Sequence, residues 1–460
     1  MNMLAKTFIM IFLSSLLVIT GLIDLGKVNE VKAQEQGGGG AALPHAAGNG
    51  SGCISYDSVK RMITVSCSSA TLTDIYNQLK DPTVLNREPQ QQQPQQHRNG
   101  VWLLNANITI NKGATLTIDP TDTVWFKIIA DEKSLAYGIH VLGSLKIDSV
   151  QLTSWNPATN YYAMSNGSRE SSGPATASCG SNCPIAIKDK LTHHGAPRPY
   201  IRIESHATGT TDITNSYIGY IGYEAGWGKM TPGLQYNAGD GSIIRNNDFD
   251  HLYFGFYSVN VGNMIIENNK IHNSGHYGID PHTGTHDMII RNNAVYDNNG
   301  TAIICSLNCY NIRFENNIVY NNHGAGITFS RNTTHSVARN NYVHDQIIPI
   351  EIAASYNNAV YNNTISNTNT TGISVIGDSS GNKIFNNTIM NAQSAFGIKN
   401  SATNNMIYAN KLINVKSLGL AGSGANRISN SNTNNIPFQT NGFNQPASPN
   451  NINQGGGNSN

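Results

Sequence analysis

The segments Ile289-Ile290-Arg291-Asn292-Asn293-Ala294-Val295-Tyr296 and Arg313-Phe314-Glu315-Asn316-Asn317-Ile318-Val319-Tyr320 repeat one pattern, and that repeat decides the fold. An aliphatic run leads into an Asn pair or its equivalent. The second Asn falls at 247, 269, 293, 317, 341, 363, 387 and 410, in steps of 22, 24, 24, 24, 22, 24 and 23 residues. Such a period, with short strands and an Asn turn in each unit, predicts a parallel β-helix. Stacked Asn side chains bond one another up the column and satisfy turn backbone that would otherwise go unpaired. Leucine-rich repeats have a similar length but need a dense Leu pattern, which is absent.

The same period aligns a second column: Gly255, Gly278, Ala302, Gly326, Pro349, Gly372 and Gly397. Core-facing Phe256, Ile279, Ile303, Ile327, Ile350, Ile373 and Ile398 follow, and then outward-facing Tyr257, Asp280, Ile304, Thr328, Glu351, Ser374 and Lys399. Successive coils lie about 4.8 Å apart. Tyr257, Asp280, Thr328 and Glu351 are therefore expected to form one wall of a groove along the axis, a shape that suits a polymer. Within it, Tyr277-Gly278-Ile279-Asp280-Pro281-His282 puts a phenol, a carboxylate and an imidazole into six residues. Strand alternation turns Asp280 and His282 outward, toward solvent or a ligand, and Ile279 inward. Pro281 suits a place where strand pairing loosens.

Charged residues make up 12% of the 460, about half the usual share, and the net charge is +1. Nucleic acid is not an expected partner, because phosphate neutralisation needs a basic stripe. Lys6, an apolar run from Phe8 to Ile23 and Val31-Lys32-Ala33 read as a secretory signal cleaved after Ala33. The alternative is an uncleaved anchor; either way the bulk of the chain is expected to be periplasmic or extracellular, without stable membrane insertion after cleavage. Six cysteines form three close pairs, Cys53 with Cys67, Cys179 with Cys183 and Cys305 with Cys309, and an exported chain favours local disulfides. No His and Cys cluster completes a metal site around them.

The expected organisation is a flexible linker at 34–51, an N-terminal cap and Gln/Pro-rich connector at 52–97, a β-helix at 98–430 and an Asn/Gly-rich disordered tail at 431–460. Ile54 to Cys67 reads as a hairpin. Thr71 or Thr73 then caps an amphipathic helix carrying Leu72, Ile75, Tyr76 and Leu79, which would close the open end of the solenoid. Runs at Val101–Ile110, Thr115–Ile118, Val124–Ile129, Ile139–Val141 and Leu145–Leu152 read as strands. Residues 155–197 break the rhythm and end in Lys188, Lys190, His193, His194 and Arg198, with Arg202 just beyond. This segment reads either as a cationic wall beside the groove or as a solvated loop. The fold class is thus all-β, a parallel β-helix with a capping helix, and a monomer is expected.

A phenol, a carboxylate and a His on one face of an exported β-helix suit chemistry on a uronic acid polymer. The proton on C5, beside the sugar carboxylate, is weakly acidic, so a site must neutralise the carboxylate and steady an enolate-like intermediate. Reprotonation from the opposite face epimerises the sugar, whereas expulsion of the group at C4 cuts the chain. The run Tyr277-Gly278-Ile279-Asp280-Pro281-His282, with Phe254-Gly255-Phe256-Tyr257 one coil earlier, resembles the mannuronan C5-epimerases that convert mannuronate to guluronate in alginate. Leu152-Thr153-Ser154-Trp155, Arg198-Pro199-Tyr200-Ile201-Arg202, Ser216-Tyr217-Ile218-Gly219-Tyr220 and Gly326-Ile327-Thr328-Phe329-Ser330-Arg331-Asn332 resemble its exported single-domain branch, with likeness over about residues 100–410.

The resemblance implies a right-handed β-helix with Tyr277, Asp280 and His282 catalytic. Tyr277 and His282 would be acid and base in either order, and Asp280 would tune its neighbours or bind the substrate carboxylate as a neutral acid. His276 is an alternative base. The family's cation near the following coils is missing here: Asn298-Asn299-Gly300-Thr301 and His323-Gly324-Ala325 stand there, leaving Arg331 and His323 as candidates. Tyr257, His323, Glu351, Arg202 and Lys188 are the expected substrate-binding residues. No cofactor is expected to be required; Asp and Asn turns offer oxygen donors to Ca2+, although no spacing matches a defined Ca2+ loop. The other readings are a polysaccharide lyase and a non-catalytic carbohydrate-binding β-helix.

Overall fold

The computed structural model describes residues 52–88, 100–130, 136–164, 197–224, 230–399, 401–419, 426–429 and 432–434. The expected signal and linker, most of the connector, Cys179, Cys183, Lys188, Lys190, His193, His194 and most of the tail lie outside them.

Each coil contributes three short strands, which stack in parallel on their counterparts one coil away. One coil runs through Phe254–Val259, Ile265–Glu267 and Lys270–His272, and the next through Ile279–His282, Ile289–Arg291 and Ala294–Tyr296. The strand carrying Asp280 belongs to the face expected to carry the groove, the groove face; the other two strands build the second and third faces. Inward positions stack as Phe256, Ile279, Ile303, Ile327, Ile350 and Ile373, all buried.

The two residues of each Asn pair answer different physical needs. The first sits in the left-handed region, as at Asn268, Asn292, Asn316 and Asn340, with φ between 54° and 57°; Asn tolerates this conformation better than most residues. The second is buried and builds the ladder. Asn293 Nδ2 donates to Asn317 Oδ1 at 3.0 Å and to the Ile266 carbonyl at 2.9 Å, and its backbone N–H also donates to Asn317 Oδ1. A second ladder, unread from the sequence, joins Asn358, Asn382, Asn405 and Asn426 at another corner. On the second face, Glu267 accepts from Arg245 and Arg291, and Glu315 accepts from Arg313 and Arg339.

At the N-terminal end the hairpin forms as expected, with Ile54–Asp57 antiparallel to Met62–Val65 and Cys53 bonded to Cys67. Met62–Val65 then pairs in parallel with Asn107–Ile110, so the hairpin feeds the groove-face stack. Thr71 caps the helix Leu72–Leu79: its side chain accepts from the Asp74 N–H while the Asp74 carboxylate accepts from the Thr71 N–H. Leu72 and Ile75 are buried, and Tyr76 packs edge-on against Trp102.

The structure corrects several expectations. Val101–Ile110 divides into Gly100–Leu104 and Asn107–Ile110. Leu145–Leu152 likewise divides between Ser144–Asp148 and Gln151–Trp155, with Ser149 at φ 55° turning the corner. In the last groove-face coil Phe396, not Ile398, stacks on Ile373, and Gly397, not Lys399, on Ser374. A register shift between Thr368 and Thr371 accounts for one residue of this two-residue slip. Pairing also continues past 430, with Asn432–Asn434 beside Lys411–Ile413. Cys305 and Cys309 are buried free thiols. Leu307 and Asn308, both at positive φ, turn the chain between them so that the Cys309 thiol donates to the Pro281 carbonyl at 3.4 Å.

Asn317→Ala is expected to lower stability by about 1–3 kcal/mol, because it strands the buried Ile290 carbonyl and its neighbours in the ladder. Thermal unfolding checks this, and an unchanged Tm would mean that the ladder does not hold the coils in register.

Candidate active site

On the groove face the outward column reads Thr109, His140, Arg202, Gln235, Tyr257, Asp280, with Thr328, Glu351 and Ser374 beyond. Tyr257, Thr328 and Glu351 therefore fall in line with Asp280 as expected, but as a floor and not an exposed wall. Asp280 is 1% exposed, and Tyr257 and Thr328 are also buried. The expectation that Asp280 looks out at solvent is corrected: alternation gives the side of the strand, while neighbouring side chains set the depth. Pairing loosens at Pro281 on one side only. Ile279 and His282 register with Ile303 and Ser306, while Asp280 and Pro281 have no partner in that strand.

Burial sets the protonation states of this cluster. Asp280 Oδ1 has no hydrogen-bond partner, and burial pushes its carboxyl well above the ordinary range, with Arg331 opposing the shift. Desolvation raises the Tyr277 phenol to about 12, reinforced by Asp280. Desolvation, with help from the Arg331 charge, lowers His282 to about 4. At neutral pH Tyr277 is an intact phenol and His282 an uncharged imidazole, and burial shifts Asp280 toward its protonated form.

The contacts of His282 assign its tautomer. Nδ1 lies 2.6 Å from Thr283 Oγ1, and Nε2 lies 3.5 Å from the Arg331 guanidinium. Arg has no acceptor, so the network assigns the proton to Nδ1 and the lone pair to Nε2. Ser306, in register with His282, accepts a hydrogen bond from the same guanidinium. The Tyr257 ring stands 5.4 Å from the imidazole.

Arg331 comes from two coils away and reaches the site through its backbone. It occupies a corner at φ 52°, where later coils place Ala354 and Gly377. A left-handed conformation costs an L-residue about 1–2 kcal/mol, so a large charged side chain there spends stability to aim a guanidinium at His282. Arg331 is thus brought from two coils away to His282 and Ser306.

The remaining candidates divide. His276 is held among aromatic rings, stacked on Phe254 at 4.9 Å and edge-on to Tyr277 at 4.0 Å; desolvation lowers it to about 4, and its Nδ1 is unpartnered. It thereby packs against Tyr277, away from the Arg331 contacts. His323 is exposed, bonded to Asn299, and is not brought into the cluster. Glu351 lies further along the floor with its carboxyl raised by burial, against the pull of Lys399. Arg202 lies on the groove face before Gln235. Lys188 lies outside the described residues. Arg198 is buried and donates to the Gly222 carbonyl at 2.6 Å, which corrects its place in a cationic wall. Ser306 and Thr283 were missed, although the column two positions after Asp280, running Val259, His282, Ser306 and Ser330, would have exposed Ser306.

Among the described residues no group of three or more His, Cys, Asp or Glu is placed to hold a metal ion, and no helix is long and apolar enough to cross a membrane.

Comparison with known proteins bears on the fold. The family described as right handed beta helix region matches residues 201–346, and the family described as periplasmic copper-binding protein (NosD) matches residues 304–445. A search of curated proteins finds no match. Among solved structures, the periplasmic alginate epimerase AlgG aligns with a TM-score of 0.64 at 18% identity, over 83% of this chain and 87% of that one. A double mutant of AlgG gives 0.65 at 17%, over 83% and 88%. The A-module of the mannuronan C-5 epimerase AlgE4 from Azotobacter vinelandii aligns at 0.46 and 13%, over 73% of this chain and 87% of that one, too distant to add to the argument. The resemblance read from the sequence is thus matched by structural likeness, and the chain has the right-handed parallel β-helix fold that AlgG has.

Arg331→Gly is expected to leave Tm unchanged or raise it, since Gly suits the corner. It is also expected to raise the His282 pKa from about 4, because the charge that depresses it is gone. Imidazole titration by NMR checks the second point, and an unmoved His282 would contradict the contact.

Proposed function

We propose that this protein is a uronan C5-epimerase acting on mannuronan or a related anionic polysaccharide outside the cytoplasm. The observation that carries the reading is the grouping on one groove floor of an uncharged imidazole, an intact phenol, a buried carboxyl with no partner and a guanidinium without a carboxylate partner among the described residues. The fold shared with AlgG, an alginate epimerase, supports it.

The protonation states support the following roles. His282 Nε2, carrying a lone pair, takes the C5 proton and becomes imidazolium. The electron pair passes into the sugar carboxylate, where Arg331 offsets the growing negative charge. Tyr277 delivers its phenolic proton to the opposite face of C5, and exchange with water then restores both groups. Asp280 acts through its neutrality: an ionised carboxylate there would engage Arg331 and compete with the substrate, whereas a protonated one leaves that charge available. Tyr257 and Gln235 continue the floor under the polymer. Deprotonation of C5 is also the first half of β-elimination, so the product must be examined directly.

Incubation of the purified protein with polymannuronate in deuterated water, followed by proton NMR and ultraviolet absorbance, tests the proposal. Guluronate signals with deuterium at C5 and no new absorbance are expected. Absorbance from unsaturated ends would replace epimerase by lyase, and neither signal would contradict catalysis on this polymer. His282→Ala is expected to abolish turnover with little change in Tm.

The pH dependence follows from the same imidazole. The base is active when neutral, so kcat/KM, which reports the free enzyme, should fall as pH drops through about 4 and not through the ordinary His range. A limb near the ordinary value would contradict the desolvated, Arg-flanked environment.

A further inference from the structure

We propose that Arg202 is a second carboxylate subsite, which grips the polyuronate about three sugars away from the reacting residue. This rests on the uronan reading above and goes beyond it by fixing where, and how far, the substrate must extend.

Arg202 stands in the same outward column as Asp280. The register passes from Arg202 to Gln235, then to Tyr257, then to Asp280. Three steps of about 4.8 Å place it about 14 Å along the axis from the reacting centre. A 1,4-linked pyranose chain advances by nearly one coil spacing per sugar, so an extended polymer meets Arg202 about three residues before the site.

The guanidinium is built for an absent partner. Its Nε is buried with no hydrogen-bond partner, and its central carbon lies over the Tyr200 ring at 5.1 Å from the centroid. Tyr200 is itself tied by its hydroxyl to His140 Nε2 at 3.2 Å, and His140 Nδ1 to Glu204 at 2.7 Å. Glu204, the neighbouring carboxylate, is thus engaged by His140 and forms no ion pair with Arg202. The second face makes the contrast: Arg245, Arg291, Arg313 and Arg339 each pair with a glutamate. An arginine stacked on a tyrosine, with no carboxylate partner among the described residues, is preorganised for an anionic group from outside.

The subsite is anionic in preference, and it reads one charge. Between it and Asp280 the floor offers Gln235 and Tyr257, which suit sugar hydroxyls more than a second carboxylate. A short oligomer bound at Asp280 does not reach Arg202; a longer one does. The predicted consequence is a length threshold in affinity that belongs to one residue.

Calorimetric binding of size-fractionated oligomannuronates to the full protein, at two salt concentrations, tests this without requiring turnover. Wild type is expected to bind an octamer at least tenfold more tightly than a trimer. Arg202→Gln should lose most of that difference, bind the trimer as wild type does, and show a weaker salt dependence for the octamer. Arg202→Lys, which keeps the charge, should recover part of it. Equal octamer affinity in wild type and Arg202→Gln would overturn the subsite while leaving the uronan reading intact. Failure of wild type to bind any oligomannuronate would overturn both. Binding with the predicted length threshold but no epimerisation would uphold the subsite and remove the epimerase reading alone.

Discussion

The coil-to-coil register is the constraint on which everything else depends. A site whose groups arise from separate strands works only if those strands do not slip, because a one-residue slip turns every side chain to the other face. Buried asparagines prevent the slip. Each donates to the next Asn up the column and to a carbonyl in the previous coil, so a displaced coil would leave several buried polar groups unsatisfied. With the coils locked, Tyr257, Asp280 and His282 with its neighbour Ser306 hold fixed relations although they come from three strands.

That rigidity permits an expensive arrangement at the floor. A carboxyl group without a partner is buried at Asp280, and a large side chain occupies a left-handed corner at Arg331. Each costs stability of the order of 1–3 kcal/mol. The two costs are linked: burial favours the protonated form of Asp280, and a protonated Asp280 would not consume the charge of Arg331. Local packing thereby leaves a cation without a carboxylate partner among the described residues beside an uncharged imidazole, the combination that the proposed removal of a weakly acidic proton next to a carboxylate requires.

The fold was legible because each asparagine of the pair has a strong physical reason to be there, one for the left-handed corner and one for the buried ladder. The side of the strand on which Asp280 and His282 lie was legible for the same reason that any strand is, the two-residue alternation. Depth was not, since Tyr257 from the previous coil and Arg331 from two coils later bear on Asp280, and no local pattern reports contacts of that range. Arg331 was found as a candidate, but its reach depends on a positive φ that composition does not reveal. The final coil defeated a fixed period because the chain shifts register between Thr368 and Thr371. The pairing of Cys305 with Cys309 failed because sequence proximity does not determine how a corner directs two thiols.

The chemistry turns on the protonation state of Asp280, and isotope-edited infrared spectroscopy of aspartate-labelled protein reads it directly. At neutral pH the account predicts a protonated-carboxyl stretch in wild type that is absent from Asp280→Asn. A wild-type spectrum containing only carboxylate bands would show Asp280 ionised and paired with Arg331, and would contradict the account of how this groove keeps a cation free for its substrate.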